Sequence, residues 1–156
     1  MCCDQILKFV RKEHSCNHKH KRVAIGLREK HSCEYQEAAI GLAAKFMTKW
    51  DFDHEFRELM LLKLVKVFES HPYPSKMVPN VRRYSIEVLI GVLKRDKGAL
   101  EQRPELVNDL EKALEGVMET TSDWEYYSAF SGSKGLSRHT IPILSLAHHA
   151  MELLSK

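Results

Sequence analysis

The chain has 156 residues, of which 44% are hydrophobic and 29% charged, and this length suits one domain with its own core. Seven glycines and five prolines are few for an all-β sandwich, and no apolar run approaches the roughly 18 residues of a transmembrane helix. All four cysteines lie within the first 33 residues, which argues against a disulfide scaffold and favours a cytoplasmic or nuclear protein.

Residues 1–33 are predicted to form a separate basic segment with short helices. Residues 1–31 hold eight Lys or Arg against three Asp or Glu, and the stretches 4–14 and 21–31 are amphipathic. The motif RKEHSC (11–16) is echoed by REKHSC (28–33), and Ser15 and Ser32 are predicted to break or cap these helices. The echoed unit is one helix and a turn, which is shorter than a helical repeat.

Two binding hypotheses fall on this segment, beside the simpler interpretation of a solubilising tail. Its cations suit sequence-neutral binding to a nucleic-acid backbone, and the candidates are Lys19, Lys21, Arg22, Arg28 and Lys30. Its thiol and imidazole groups are ligands that zinc binds, and the candidates are Cys16, His18, His31 and Cys33. Only one residue separates the members of each zinc pair, whereas structural zinc sites usually have two to four. We therefore expect no cofactor.

The remaining residues, 34–156, are predicted to form an all-α domain. For the fold as a whole, five to seven helices are expected, packed as antiparallel neighbours in a compact bundle or a HEAT-like stack. Helix 34–50 has an alanine-rich middle that allows another helix to approach closely. Its predicted core stripe consists of Ala39, Leu42, Ala43 and Phe46. Helix 51–70 begins at Asp51 or Asp53 as a cap and is apolar on several sides, which predicts a core element.

Prolines and glycines mark the later boundaries. Residues 71–79 are a Pro-rich connector, and helix 80–98 is expected to be capped by Asn80 and to stop at Gly98. Pro104 suits the first turn of the next helix, which runs to about residue 118. A short aromatic helix at 123–130, a Gly/Ser-rich loop and a closing helix follow. The closing helix is predicted to be capped by Thr140, with Pro142 in its first turn.

The segment PNVRRYSIEVLIGVLK (79–94) resembles the second helix of a HEAT or armadillo-type repeat. Such a helix opens with a Val-Arg step, and the matching residues here are Val81, Arg82, Ile86, Leu89 and Leu93. Ser85 and Val88 depart from the alanine-rich core of that family. The resemblance covers residues 51–95 and implies a stacked-helix scaffold that binds partner proteins on a groove without a catalytic group.

The sequence favours a non-catalytic interaction or adaptor domain that binds another protein or peptide segment on a helical surface. The candidate anchors are the rings of Trp124, Tyr126, Tyr127 and Phe130 and two cations expected to be exposed, Arg82 and Arg83. These rings could equally well be core residues that fill one end of a helical bundle. No catalytic pattern competes, since the stretch DHEFRE carries Glu58 where a metalloprotease helix needs its second His.

Overall fold

The computed structural model describes the backbone of residues 23–47, 49, 52–74, 80–131 and 134–156, and side chains for 34–47, 49, 52–74, 80–96, 98, 100–121 and 143–156. These residues form five α-helices and one 3₁₀ helix, without any strand. The α-helices are α1 (Val23–Met47), α2 (His54–Ser70), α3 (Val81–Arg95), α4 (Pro104–Ser131) and α5 (Lys134–Leu154), and the 3₁₀ helix is Lys97–Leu100. The all-α prediction is confirmed.

The contacts between helices divide them into two layers. Helix α3 packs between α1 and α5 in one layer, and α2 packs against α4 in the other. The layers meet where α3 contacts α2 and where α5 contacts α4. The 3₁₀ helix touches α2, α3 and α4 and closes one end of their common core. Within the described part of the chain, no helix is both long and apolar enough to cross a membrane.

Helices α1 and α3 run parallel. Their paired residues, in the same order along both helices, are Glu37 with Asn80, Gly41 with Tyr84 and Met47 with Gly91. Helices α2 and α3 are antiparallel, because His54 at the start of α2 meets Asp96 just after the end of α3. Because α2 reverses the direction of the chain between them, α1 and α3 pack side by side in the same direction.

Helix α3 is the centre of the core. Ten of its 15 residues are buried, and Leu89 and Val92 have no exposed surface. Burial of a large aliphatic side chain contributes about 1.5–3 kcal/mol, and among the described side chains α3 supplies more buried hydrophobic residues than any other helix. Helix α2 contributes five buried residues and is a core element as predicted; they are Met60, Leu61, Leu64, Val67 and Phe68.

Glycines permit the close approach of α1 and α3. A Cβ atom built on Gly91 would lie 3.0 Å from the Cβ of Met47, and one on Gly41 would lie 3.0 Å from the ring of Tyr84. Both distances are at the limit of real Cβ contacts, so larger residues would push the helices apart. Three alanines of α1 are also buried, namely Ala39, Ala43 and Ala44.

Local signals predicted some helix ends correctly. The Asp53 carboxylate caps α2 by accepting a 2.7 Å hydrogen bond from the backbone N–H of Phe56. Pro104 is the first residue of α4, where its missing N–H costs nothing.

Three predicted breaks are wrong, because the helix continues through each of them. Helix α1 starts at Val23 and passes through Ser32, which was predicted to break or cap a helix. Helix α4 joins the predicted 104–118 and 123–130 helices. Helix α5 starts at Lys134, which places Thr140 and Pro142 in its interior. Serine costs a helix little, so packing easily overrides it, whereas a proline inside a helix costs about 3 kcal/mol that packing must offset.

Candidate functional site

Helix α3 is capped by a side chain of α1. The Glu37 carboxylate accepts a 3.0 Å hydrogen bond from the backbone N–H of Asn80, and Val81 and the Asn80 side chain also donate to it. Asn80 occupies the predicted capping position, but its side chain does not cap the helix, so that prediction is corrected. Burial raises the pKa of Glu37, and these hydrogen bonds only partly oppose the increase.

A buried polar contact fixes α1 against the end of α2. His71 Nε2 lies 3.1 Å from Gln36 Oε1, and both residues are almost fully buried. Because the glutamine oxygen can only accept, the imidazole donates this hydrogen bond. Gln36 and Glu37 together fix the rotation of α1, which determines the side of the helix that faces solvent.

The outward side of α1 carries exposed apolar groups. Tyr35 is 61% exposed and Leu42 is 47% exposed. They are seven residues apart, about two helical turns, and exposed Ala38 lies between them on the same side. We call Tyr35, Ala38 and Leu42 the α1 face. Leu42 was predicted on the core stripe, and that placement is wrong, because Gln36 and Ile40 turn inward in its place.

Helix α3 supplies one edge of the α1 face. The ring of Tyr84 lies against Gly41, and the Arg83 guanidinium is 5.8 Å from the centroid of that ring. Arg83 Nε also donates a 3.1 Å hydrogen bond to Glu87 Oε1 one turn later. Arg83 is partly exposed beside the α1 face, so the structure brings one predicted anchor to this surface.

Arg82 is buried and cannot serve as the exposed anchor that the sequence predicted. Its residue surface is 3% exposed, and Nη2 donates hydrogen bonds of 2.7 Å to the carbonyl of Val117 and 2.7 Å to Oγ1 of Thr120. Burial lowers the pKa of Arg82 to about 10. Successive residues of a helix are about 100° apart, so Arg82 faces α4 while Arg83 faces solvent.

The other predicted binding residues lie outside the described side chains. The backbone of α4 includes Trp124, Tyr126, Tyr127 and Phe130. The backbone of α1 includes Arg28, Lys30, His31 and Cys33. Cys16, His18, Lys19, Lys21 and Arg22 precede the described residues. These hypotheses of partner, nucleic-acid and zinc binding therefore stay predictions.

A polar cleft lies at the opposite end of α3 from Glu37. It has a volume of about 210 Å³, and its lining residues are His54, Glu58, Gly98, Gln102 and Arg103. Arg103 pairs with Glu58. His54 Nδ1 donates to Asp96 Oδ2 over 3.0 Å, and Arg57 Nη1 donates to the same oxygen over 3.0 Å. The hydrogen bond from His54 is the largest cause of a lowered pKa at Asp96, with Arg57 adding to it.

The chemistry of this cleft is limited by what lines it. Its lining has no hydroxyl or thiol side chain, and its one carboxylate, Glu58, is paired with Arg103. In the described parts of the chain, no three His, Cys, Asp or Glu side chains are placed to hold a metal ion. The cations and carboxylates of the cleft pair with one another, which is the arrangement of a surface ion-pair network.

The chain matches no protein-family model, no curated protein and no solved structure. The resemblance of residues 51–95 to a HEAT or armadillo-type repeat stays a prediction. The α1 face is the candidate functional site, because it combines an exposed aromatic ring and an exposed aliphatic side chain on a helix held rigidly from behind. Sequence periodicity missed it by assigning Leu42 to the core.

Proposed function

We propose that the protein is a non-catalytic interaction domain that binds an amphipathic helix of a partner protein on the α1 face. The observation that carries this proposal is the exposure of Tyr35 and Leu42 on one side of α1. A helix that docks on another helix uses apolar anchors spaced at three, four or seven residues, and this pair has that spacing. A tyrosine ring adds a large contact area with a polar tip.

The surroundings of the α1 face support this mode of binding. Ala38 is small and exposed between Tyr35 and Leu42, so a partner backbone can approach α1 closely there. Arg83 at the edge can pair with an acidic residue of the partner and fix its direction. Helix α1 is already held by Gln36 and Glu37, so it loses little conformational freedom on binding.

The proposal is tested by selecting binders from a displayed library of amphipathic helical peptides and measuring their affinity for variants of the domain. Leu42→Lys puts a charge into the proposed contact and is expected to weaken binding by about tenfold or more. Lysine is a good helix former, so the variant should keep its fold.

Leu62→Lys is the matched control, because Leu62 is an exposed leucine on α2 with 39% of its surface accessible. Its affinity for the peptides should stay within about twofold of the unmodified protein, since a lone surface leucine contributes little. Peptides that bind both variants equally well, or the selection of none at all, would contradict the proposal.

A further inference from the structure

Arg82 carries hydrogen-bonding groups that the described residues do not satisfy. Its Nε and Nη1 atoms are buried and lack partners among those residues, and so does the buried Oγ1 of Thr121. Nη2 alone is bonded, to Val117 and Thr120 on α4. Val117, Thr120 and Thr121 are spaced by three and four residues, which places them on one side of α4, the side that Arg82 meets.

A buried guanidinium needs an anion more than it needs neutral acceptors. Its N–H groups cost free energy when they are neither solvated nor bonded, and its charge costs more. Within the described residues burial alone lowers the pKa of Arg82, and none of their carboxylates forms an ion pair with it. Glu37 binds the same end of α3, but its carboxylate is engaged by Asn80 and Val81.

We propose that Arg82 and Thr121 bind a small oxyanion, a phosphate or a carboxylate group, between α3 and α4. The three N–H groups on Nε and Nη1 supply donors and the positive charge, and the Thr121 hydroxyl supplies a further donor. Nη2 stays bonded to α4 and fixes the plane of the guanidinium. The site is distinct from the α1 face and does not depend on the proposed function.

Removal of Arg82 leaves α4 intact, which makes the site testable. The Thr120 hydroxyl donates a 2.8 Å hydrogen bond to the carbonyl of Gly116, and the Val117 carbonyl is part of the α4 helix. Arg82→Met therefore exposes no new unpaired group, and replacing a buried charge by an apolar side chain of similar size is often tolerated. Arg83→Met is the matched control, because Arg83 is a neighbouring but partly exposed cation.

The experiment measures Tm of the full chain in sodium phosphate, sodium acetate and sodium chloride at equal ionic strength. Phosphate or acetate at about a hundred times its dissociation constant should raise Tm of the unmodified protein by about 5 °C relative to chloride. The increase should saturate, persist in Arg83→Met, vanish in Arg82→Met and shrink in Thr121→Val. The side-chain Nε–H signal of Arg82 in NMR spectra should shift along the same binding curve.

Two results would overturn the proposal. An equal response of the unmodified protein and Arg82→Met would mean that phosphate acts only through the general stabilisation that excluded salts give. A stability advantage of the unmodified protein over Arg82→Met of the same size in all three salts would mean that a group of the chain or a buried water already satisfies the guanidinium. Should Arg82→Met fail to fold, the Arg82 NMR titration and Thr121→Val decide the matter.

Discussion

The two ends of α3 are both held by polar side chains, but in different surroundings. At the N-terminal end, the contacts of Gln36 with His71 and of Arg82 with α4 are buried, and the contact of Glu37 with the Asn80 N–H is part-buried. At the C-terminal end, Asp96 receives His54 and Arg57 near the surface, where the His54 side chain is 61% exposed. Solvent can replace a lost partner at the second end but hardly at the first.

The pKa shifts of the two carboxyl groups, Glu37 and Asp96, also differ between the two ends of α3. Burial is the largest cause of the raised pKa of Glu37, whereas the hydrogen bond from His54 is the largest cause of the lowered pKa of Asp96. The N-terminal end therefore retains a carboxylate whose charge is poorly compensated, and the C-terminal end compensates its carboxylate. We infer that packing and hydrogen bonds hold the N-terminal end of α3, and that charge pairs hold its C-terminal end.

The largest effect is expected from Gln36→Ala. The change removes the Gln36 oxygen that His71 Nε2 contacts and opens buried space beside the imidazole, which should cost about 2 kcal/mol of unfolding free energy. Urea unfolding followed by circular dichroism measures this loss. A loss below about 0.5 kcal/mol, the size of an ordinary surface change, would show that solvent reaches this end after all.

A smaller effect, with a distinctive pH dependence, is expected at Glu37. Glu37→Ala removes the cap of α3 and should cost about 1 kcal/mol, whereas Glu37→Gln keeps an acceptor oxygen and should cost less. Because the folded pKa is raised, this carboxyl contributes stability below its ordinary value of 4.5 and loses it as the pH rises through the folded pKa. The stability of Glu37→Gln relative to the unmodified protein should thus increase from pH 4 to pH 7. A decrease over that range would mean that the carboxylate is well compensated.

The smallest effect is expected at the C-terminal end. Asp96→Asn should cost less than about 1 kcal/mol near neutral pH, because the His54 side chain is exposed and the part-buried Arg57 keeps an oxygen acceptor in asparagine. The folded pKa is lowered, so the contribution of Asp96 is present above its ordinary value of 3.8 and is lost as the pH falls through the folded pKa. The difference between Asp96→Asn and the unmodified protein should accordingly disappear in acid and shrink in high salt. A difference that is unchanged by both would place the pair in the core.

How much of this the sequence could predict depends on the range of the interaction. The Asp53 cap acts over three residues and Pro104 over one, so both could be recognised from neighbouring letters. Glu37 caps a helix that begins more than forty residues later, and nothing near Asn80 in the chain indicates that.

Helix rotation was the other feature beyond sequence reasoning. Leu42 and Arg82 were assigned to opposite environments from those they occupy, because periodicity gives the width of an apolar stripe but not how far the packing turns it. Gln36, a polar residue, takes part of the buried side of α1 through its bond to His71, and this moves Leu42 outward. The candidate site depends on that rotation.

The central claim is that the outward side of α1 captures a partner helix, and the ratio of dissociation constants of Leu42→Lys and Leu62→Lys for one selected peptide tests it most directly. We expect a ratio of about ten or more, with both variants as stable as the unmodified protein within about 1 kcal/mol. A ratio near one would contradict it, since two exposed leucines on different helices would then be equivalent.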